Sequence, residues 1–384
     1  MSDSPRRINR IALFLIILLI LAIGAVIIYA VTNSGTYYTS WEAVSSFENT
    51  SEIGYIRVKN GYIAYNGDGA RQYDASRNPV WDISFVLEDP IAAAVGGYAV
   101  FADRGGETVH VTDGNGSNHS FTVSEKVAEV CVADKGITAI RTNGGDYDKI
   151  CLYDIDGNML IDLKTDVRKS GLPITMALSP DGKKLVTSYF EVGQENKSWL
   201  TFYNFDDVGQ NYADKIVGSY SYDEKLIVDI RFLNDSKLIV FYADGCDVYK
   251  MREIPELVKS LRFDGGIEAV CSSDEGFAIA RKETAGNILI TVYDLNGKQV
   301  SSINSSMSFD TMRLENGELI LTEDDSCVIY RSNGEEKLRA RFNDVIRFIC
   351  RGQSQTEYVV VGGNRTDLIH LRTLKEDTAA AVDE

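Results

Sequence analysis

The sequence predicts an all-β fold: a β-propeller of eight four-stranded blades preceded by one N-terminal transmembrane helix. Three observations carry this. First, an apolar strand, a polar turn and a second apolar strand recur eight times, from GYIRVKNGYIAY (54–65) to FICRGQSQTEYVVV (348–361). Second, each of these pieces is followed by a strand that ends in Tyr73, Val111, Tyr153, Tyr203, Tyr249, Tyr293, Tyr330 or His370, at intervals of 38, 42, 50, 46, 44, 37 and 40 residues. Third, residues 11–31 (IALFLIILLILAIGAVIIYAV) contain no charge. A repeat of about 40 residues made of four short strands is the mark of a propeller, because one blade cannot bury both its faces alone.

Taken in order, residues 1–10 form a basic cap with Arg6, Arg7 and Arg10. At about 1.5 Å per helical residue, the 21 residues that follow span roughly 30 Å, the depth of a bilayer's hydrocarbon core. Arginines before this run and an acidic chain after it place the N-terminus in the cytoplasm and residues 32–384 outside, in the extracytoplasmic space. The run exceeds the 7–15 residues of a signal-peptide core and ends in IIYAVTNSG, a poor cleavage site, which favours an uncleaved signal-anchor. Residues 32–52 read as a polar stalk, within which a strand near Trp41–Phe47 is placed to complete the last blade. Residues 53–374 hold the repeats, and 375–384 (KEDTAAAVDE) read as a disordered acidic tail.

Within the repeats, Asn-Gly, Asp-Gly and Asp-Ser pairs between alternating apolar residues are hairpin signals, because these residues accept the backbone of tight turns. The chain has only six prolines. One segment beyond residue 52, IPELVKSL (254–261), has helix-like spacing. The last unit supplies three strands and stops near Leu374. Eight repeats imply eight blades, or seven if the weak second unit (83–123) or the irregular fourth is miscounted.

The net charge is −17, with +2 on residues 1–31 and −19 on the remainder. Such an acidic body excludes nucleic acid, whose phosphates need a basic face, and argues against adhesion to anionic lipid. The six cysteines (131, 151, 246, 271, 327, 350) have no CxxC pair. Cys131, Cys271 and Cys350 share one repeat position, which suits buried small side chains; an even count outside the cell leaves one disulfide open. Asp113-Gly-Asn-Gly, Asp154-Ile-Asp-Gly-Asn and Asp294-Leu-Asn-Gly resemble pieces of calcium loops but lack the remaining ligands, and so read as turns. His110, His119 and His370 have no His or Cys partner at metal spacing, and His110 and His370 read as strand residues. No GxSxG, HExxH, P-loop or dinucleotide glycine pattern occurs, so the sequence implies neither a cofactor nor a metal. The 20 Tyr and 15 Phe are expected mainly between blades.

ALSPDGKKLV (177–186) resembles the WD40 and TolB-type propeller repeat, and YDIDGN (153–158) and YDLNGK (293–298) resemble its later turns. A signal-anchor followed at once by such repeats resembles an uncharacterised family of single-pass, membrane-anchored propellers of Gram-positive bacteria. The repeats are also quinoprotein-like. However, Trp41, Trp81 and Trp199 are not periodic, as a quinone-docking repeat requires, and the strands do not end in Trp-Asp.

Alignment of the first strand of each repeat puts Arg57, Ala93, Cys131, Ala177, Arg231, Cys271, Arg313 and Cys350 at one level. Arg57, Arg231 and Arg313 are therefore the candidate binding residues, lining the central channel and taking an anionic ligand. The competing expectation is that each pairs with a carboxylate of a neighbouring blade, with Asp229, Asp310 and Glu268 nearby in sequence. The reading that results is a non-catalytic binding or scaffold module at the cell membrane. It would present its loops to an envelope protein, peptide or glycan. The alternative is a hydrolase or lyase acting on a glycan or peptide in the channel, for which the sequence does not single out a carboxylate pair among 56 acidic residues.

Overall fold

Eight four-stranded antiparallel sheets follow one another along the chain in a computed structural model that describes residues 35–49, 54–144, 147–166, 171–193, 196–283 and 286–374. The expected basic cap, hydrophobic span and acidic tail lie outside these residues. Among the described residues no helix is long and apolar enough to cross a membrane. Blades 1 to 7 occupy residues 54–84, 90–122, 126–166, 172–223, 227–262, 269–305 and 311–341. In each, strands A to D run in chain order, and each pairs with the next.

Blade 8 is built differently. Strands A to C come from residues 348–372, and strand D is Ser40–Glu48, paired antiparallel to Arg365–Arg372 with Ser40 opposite Arg372 and Glu48 opposite Arg365. The ring is closed by the first of the described strands, as the sequence anticipated. A bulge between Ala43 and Ser45 bends this strand. All eight repeat marks lie on third strands, and all eight apolar–turn–apolar pieces are A–B hairpins.

The core follows the same period. Among the described residues eight apolar clusters occur, and each bridges two adjacent blades. The blade 8–blade 1 cluster, for example, joins Phe348, Cys350 and Val359 to Tyr62, Ala64 and Tyr73. The large aromatics lie in these layers, with Tyr62, Phe101, Phe202, Phe241, Tyr242, Phe277 and Tyr358 all fully buried. At about 1.5–3 kcal/mol for each large apolar side chain removed from water, blade contacts and not isolated hairpins stabilise the ring. The repeated Tyr sits near the end of strand C, with its ring buried between blades. Tyr203 meets the Tyr189 hydroxyl at 3.1 Å, and Tyr249 meets that of Tyr222 at 2.7 Å.

Chain direction divides the turns between two faces. A–B and C–D turns lie on one face; B–C turns and D–A connections lie on the other. In the C–D turns, Asp113, Asp154 and Asp294 each accept the backbone N–H groups two and four residues on, at 2.8–3.0 Å. These calcium-like fragments are carboxylate-capped hairpin turns. Gly116 and Gly157 occupy the left-handed position of these turns (φ 82° and 83°), and a Cβ there would press on Trp81 or Phe121 of the preceding blade.

The helix-like segment 254–261 is corrected by the structure. Pro255–Arg262 is the outer strand of blade 5, paired with Gly245–Met251 through a bulge. Its apolar spacing misleads because most of the strand faces water: Leu257 and Val258 are both exposed, so burial does not enforce a two-residue period. All six cysteines are free; five are buried and Cys131 is partly so.

Candidate functional site: the A–B mouth of the channel

Strand A of every blade lines the axis. Where these strands reach their A–B turns, a cavity of about 870 Å³ opens between blades 1, 2, 5, 6 and 7. Arg57, Arg231 and Arg313 all line it, as does Cys271 from the same repeat level. The sequence alignment therefore placed all three arginines on inner strands near one end of the ring. Their equivalence is visible in the register: Arg57, Arg231 and Arg313 pair with Tyr62, Ile239 and Ile320, all buried on strand B.

The three arginines are held in different ways. Arg57 is anchored to the protein itself. Its Nε donates to Glu315 Oε1 at 2.5 Å, and its Nη1 donates to the carbonyls of Val58 and Gly61. Glu315 lies two blades away, at the end of strand A of blade 7, so this pair spans the mouth past blade 8. Arg231 pairs with Asp229 on its own strand, at 2.7–2.8 Å. Residues two apart on a strand share a face, which is why that pairing forms. Arg313 makes no hydrogen bond or ion pair among the described residues. It lies over the Phe348 ring at 4.2 Å. Burial pushes its guanidinium below the usual arginine range, with Glu315 opposing the shift; an arginine stays charged regardless.

Of the three carboxylates expected as partners, Asp229 does pair with Arg231, though from the same strand, and Arg57 finds Glu315 two blades away; the other two carboxylates are engaged elsewhere. Asp310 accepts the backbone N–H of Asp324, and Glu268 pairs with Lys282 at 3.1 Å. Glu315, Lys59 and Glu275 also line the cavity and were not singled out from sequence. A signal existed for Glu315: it lies two residues beyond Arg313 on the same strand and so shares its side. Its Oε1 also accepts the Arg351 N–H at 3.3 Å, while its buried Oε2 has no hydrogen-bond partner among the described residues. A second, polar recess of about 650 Å³ adjoins the mouth, lined in part by Arg57, Lys59, Arg351 and Gln353.

The histidines lie elsewhere. His110 faces Asn118 at 3.2 Å, His119 faces Asp156 at 2.9 Å, and His370 faces Thr356 at 3.5 Å. No group of three or more metal-ligating side chains occurs among the described residues.

Closed ring, inter-blade core and four-stranded blades define a β-propeller with an arginine-lined cavity on one face. The chain belongs to a family of unknown function, DUF5711, whose model matches residues 33–371. No curated protein matches it. Among solved structures it is similar to BamB from Moraxella catarrhalis, at 13% identity and a TM-score of 0.52, covering 86% of this chain and all of that one. It is also similar to the Cps50 (Swd1) β-propeller domain of Myceliophteria thermophila, at 10% identity and a TM-score of 0.47, covering 86% of this chain and 99% of that one. At such identities the likeness concerns the fold alone.

Proposed function

We propose that this protein is a membrane-tethered, extracytoplasmic binding module that takes an anionic group of an envelope protein, peptide or glycan at the A–B mouth and catalyses no reaction. The observation that carries this reading is Arg313, a cation at the cavity wall without an ion-pair partner among the described residues. An anionic ligand would supply the missing partner, and guanidinium–carboxylate or guanidinium–phosphate contacts are strong and directional. Arg231, held by Asp229, would be a second contact; Arg57 would serve mainly to tie blade 1 to blade 7. The tether is supported by the uncharged run 11–31 behind Arg6, Arg7 and Arg10, and by the resemblance to anchored propellers of Gram-positive bacteria.

The test uses the full-length chain in its membrane, with a photoreactive residue in place of Gln353 beside the mouth. A discrete adduct is expected, together with its loss in Arg313→Ala at an unchanged melting temperature. Arg57→Ala is expected instead to cost about 3 kcal/mol of stability, because it strands the buried Glu315 carboxylate. An adduct that survives both Arg313→Ala and Arg231→Ala sinks the site. Turnover of cell-wall fragments that is lost in the same variants would establish the hydrolase or lyase alternative.

A further inference from the structure

We infer that the ring is held with its A–B/C–D face, and with it the arginine-lined mouth, toward the bilayer. The inference rests on the membrane tether proposed above and adds an orientation to it. The described chain begins against the C–D turn of blade 7. Arg331, at the end of strand C, packs on Gly35 and donates to the Thr36 carbonyl. The Tyr38 N–H then donates to Lys337 O at 2.9 Å and the Thr39 N–H to Arg372 O at 3.0 Å, before the chain enters blade 8 at Ser40. The chain is therefore docked on the A–B/C–D face by Gly35, four residues after the hydrophobic run ends at Val31.

Four residues reach at most about 14 Å even when fully extended. To turn the opposite face to the bilayer, the chain would have to pass the thickness of a blade. Strand C of blade 7, Ser326–Arg331, is six residues, or about 20 Å. The connection is too short for that. The mouth lies three strand spacings inward from the rim, about 14 Å, so it looks onto the membrane beside the anchor. Asp113, Asp154, Asp206 and Asp274 in the turns of this face oppose adhesion to anionic lipid and favour a narrow gap. The opposite face, with Val86, Leu226 and Val345 exposed, is the one a large soluble protein meets first. A ligand of the mouth must be held at the membrane or be thin enough to enter the gap.

The experiment places a single donor dye at Gln353→Cys (A–B turn of blade 8) or at Val86→Cys (D–A connection after blade 1). The full-length chain carries Cys131→Ser in both cases and is reconstituted in phosphatidylcholine vesicles with an acceptor on the lipid headgroup. Energy transfer from position 353 is expected to exceed that from position 86 about twofold or more, the two faces being ~20 Å apart. Twenty Gly/Ser residues inserted between Ser34 and Gly35 should abolish the contrast, because such a linker spans roughly 25 Å on average. A chain that floats with the vesicles but shows equal or reversed transfer overturns the orientation. Contrast that survives the insertion overturns the short-tether argument. A chain that fails to float overturns the tether itself, which separates that failure from the other two.

Discussion

Arg77 occupies the turn position that Gly116, Gly157 and Gly297 hold in other blades, at φ 69°, where a side chain costs about 1–2 kcal/mol. Its guanidinium lies 3.4 Å from the Tyr73 ring centroid and 5.4 Å from that of Phe47, so cation–π contact offsets the strain and links blade 1 to the closing strand. The cysteines fill space between and within blades, and Cys131 and Cys151 also donate to Met176 O and Asp162 Oδ1, both at 3.7 Å. Burial pushes the thiols of Cys131, Cys246, Cys271, Cys327 and Cys350 up to about 12 and that of Cys151 up to about 11. The nucleophilic thiolate is then negligible at neutral pH. Iodoacetamide treatment of the folded protein should leave all six unmodified by mass spectrometry, and all six should react after denaturation. Rapid native labelling of Cys271 or Cys350 would contradict their place between blades.

At the scale of elements, the closing strand Ser40–Glu48 decides whether the ring has an edge. Without it, Arg365–Arg372 would expose unpaired backbone groups to solvent and to other chains. Trp41 stacks on Phe342 at 4.8 Å and packs on the blade 7–blade 8 cluster. Trp41→Ala is expected to lower unfolding stability by about 2–3 kcal/mol, while Val44→Ala, exposed in the bulge, should stay within about 0.5 kcal/mol. Denaturant melts of the two variants measure the difference, and equal effects would mean that the strand contributes little. Of this element the sequence showed the existence and the role, because three strands in the last unit left a vacancy. Its docking on blade 7 through Tyr38 was not legible, since a two-residue parallel contact carries no pattern.

At the scale of the molecule, closure joins chain ends that are remote in sequence: Thr39 bonds to Arg372 across more than 300 residues. The same blade would form if residues 40–49 followed Arg372 through a four-residue turn in a chain beginning at Gly54. Such a permuted protein should melt within about 5 °C of the parent, since changing one loop alters closure entropy by roughly 1 kcal/mol or less. A chain starting at Gly54 without the transplanted strand should melt lower and aggregate. If the two behave alike, the fourth strand of blade 8 is dispensable. The repeat count was legible because each blade writes the same alternation of burial into the chain. The site was legible only in part: Arg57, Arg231 and Arg313 stand out at one repeat level, but Glu315 and Lys59 do not.

The sequence by itself determined an all-β ring of eight or seven blades, a strand placed to close it, and one repeat level shared by three arginines. Each of these is a local pattern, of two-residue alternation, turn chemistry or a fixed period. Tertiary structure alone decided the rest. It paired Arg57 with Glu315 across the mouth, left Arg313 over Phe348 without a carboxylate, and put the chain's entry on the same face as that mouth. These outcomes depend on which strand ends meet when the ring closes, and no local pattern along the chain records that.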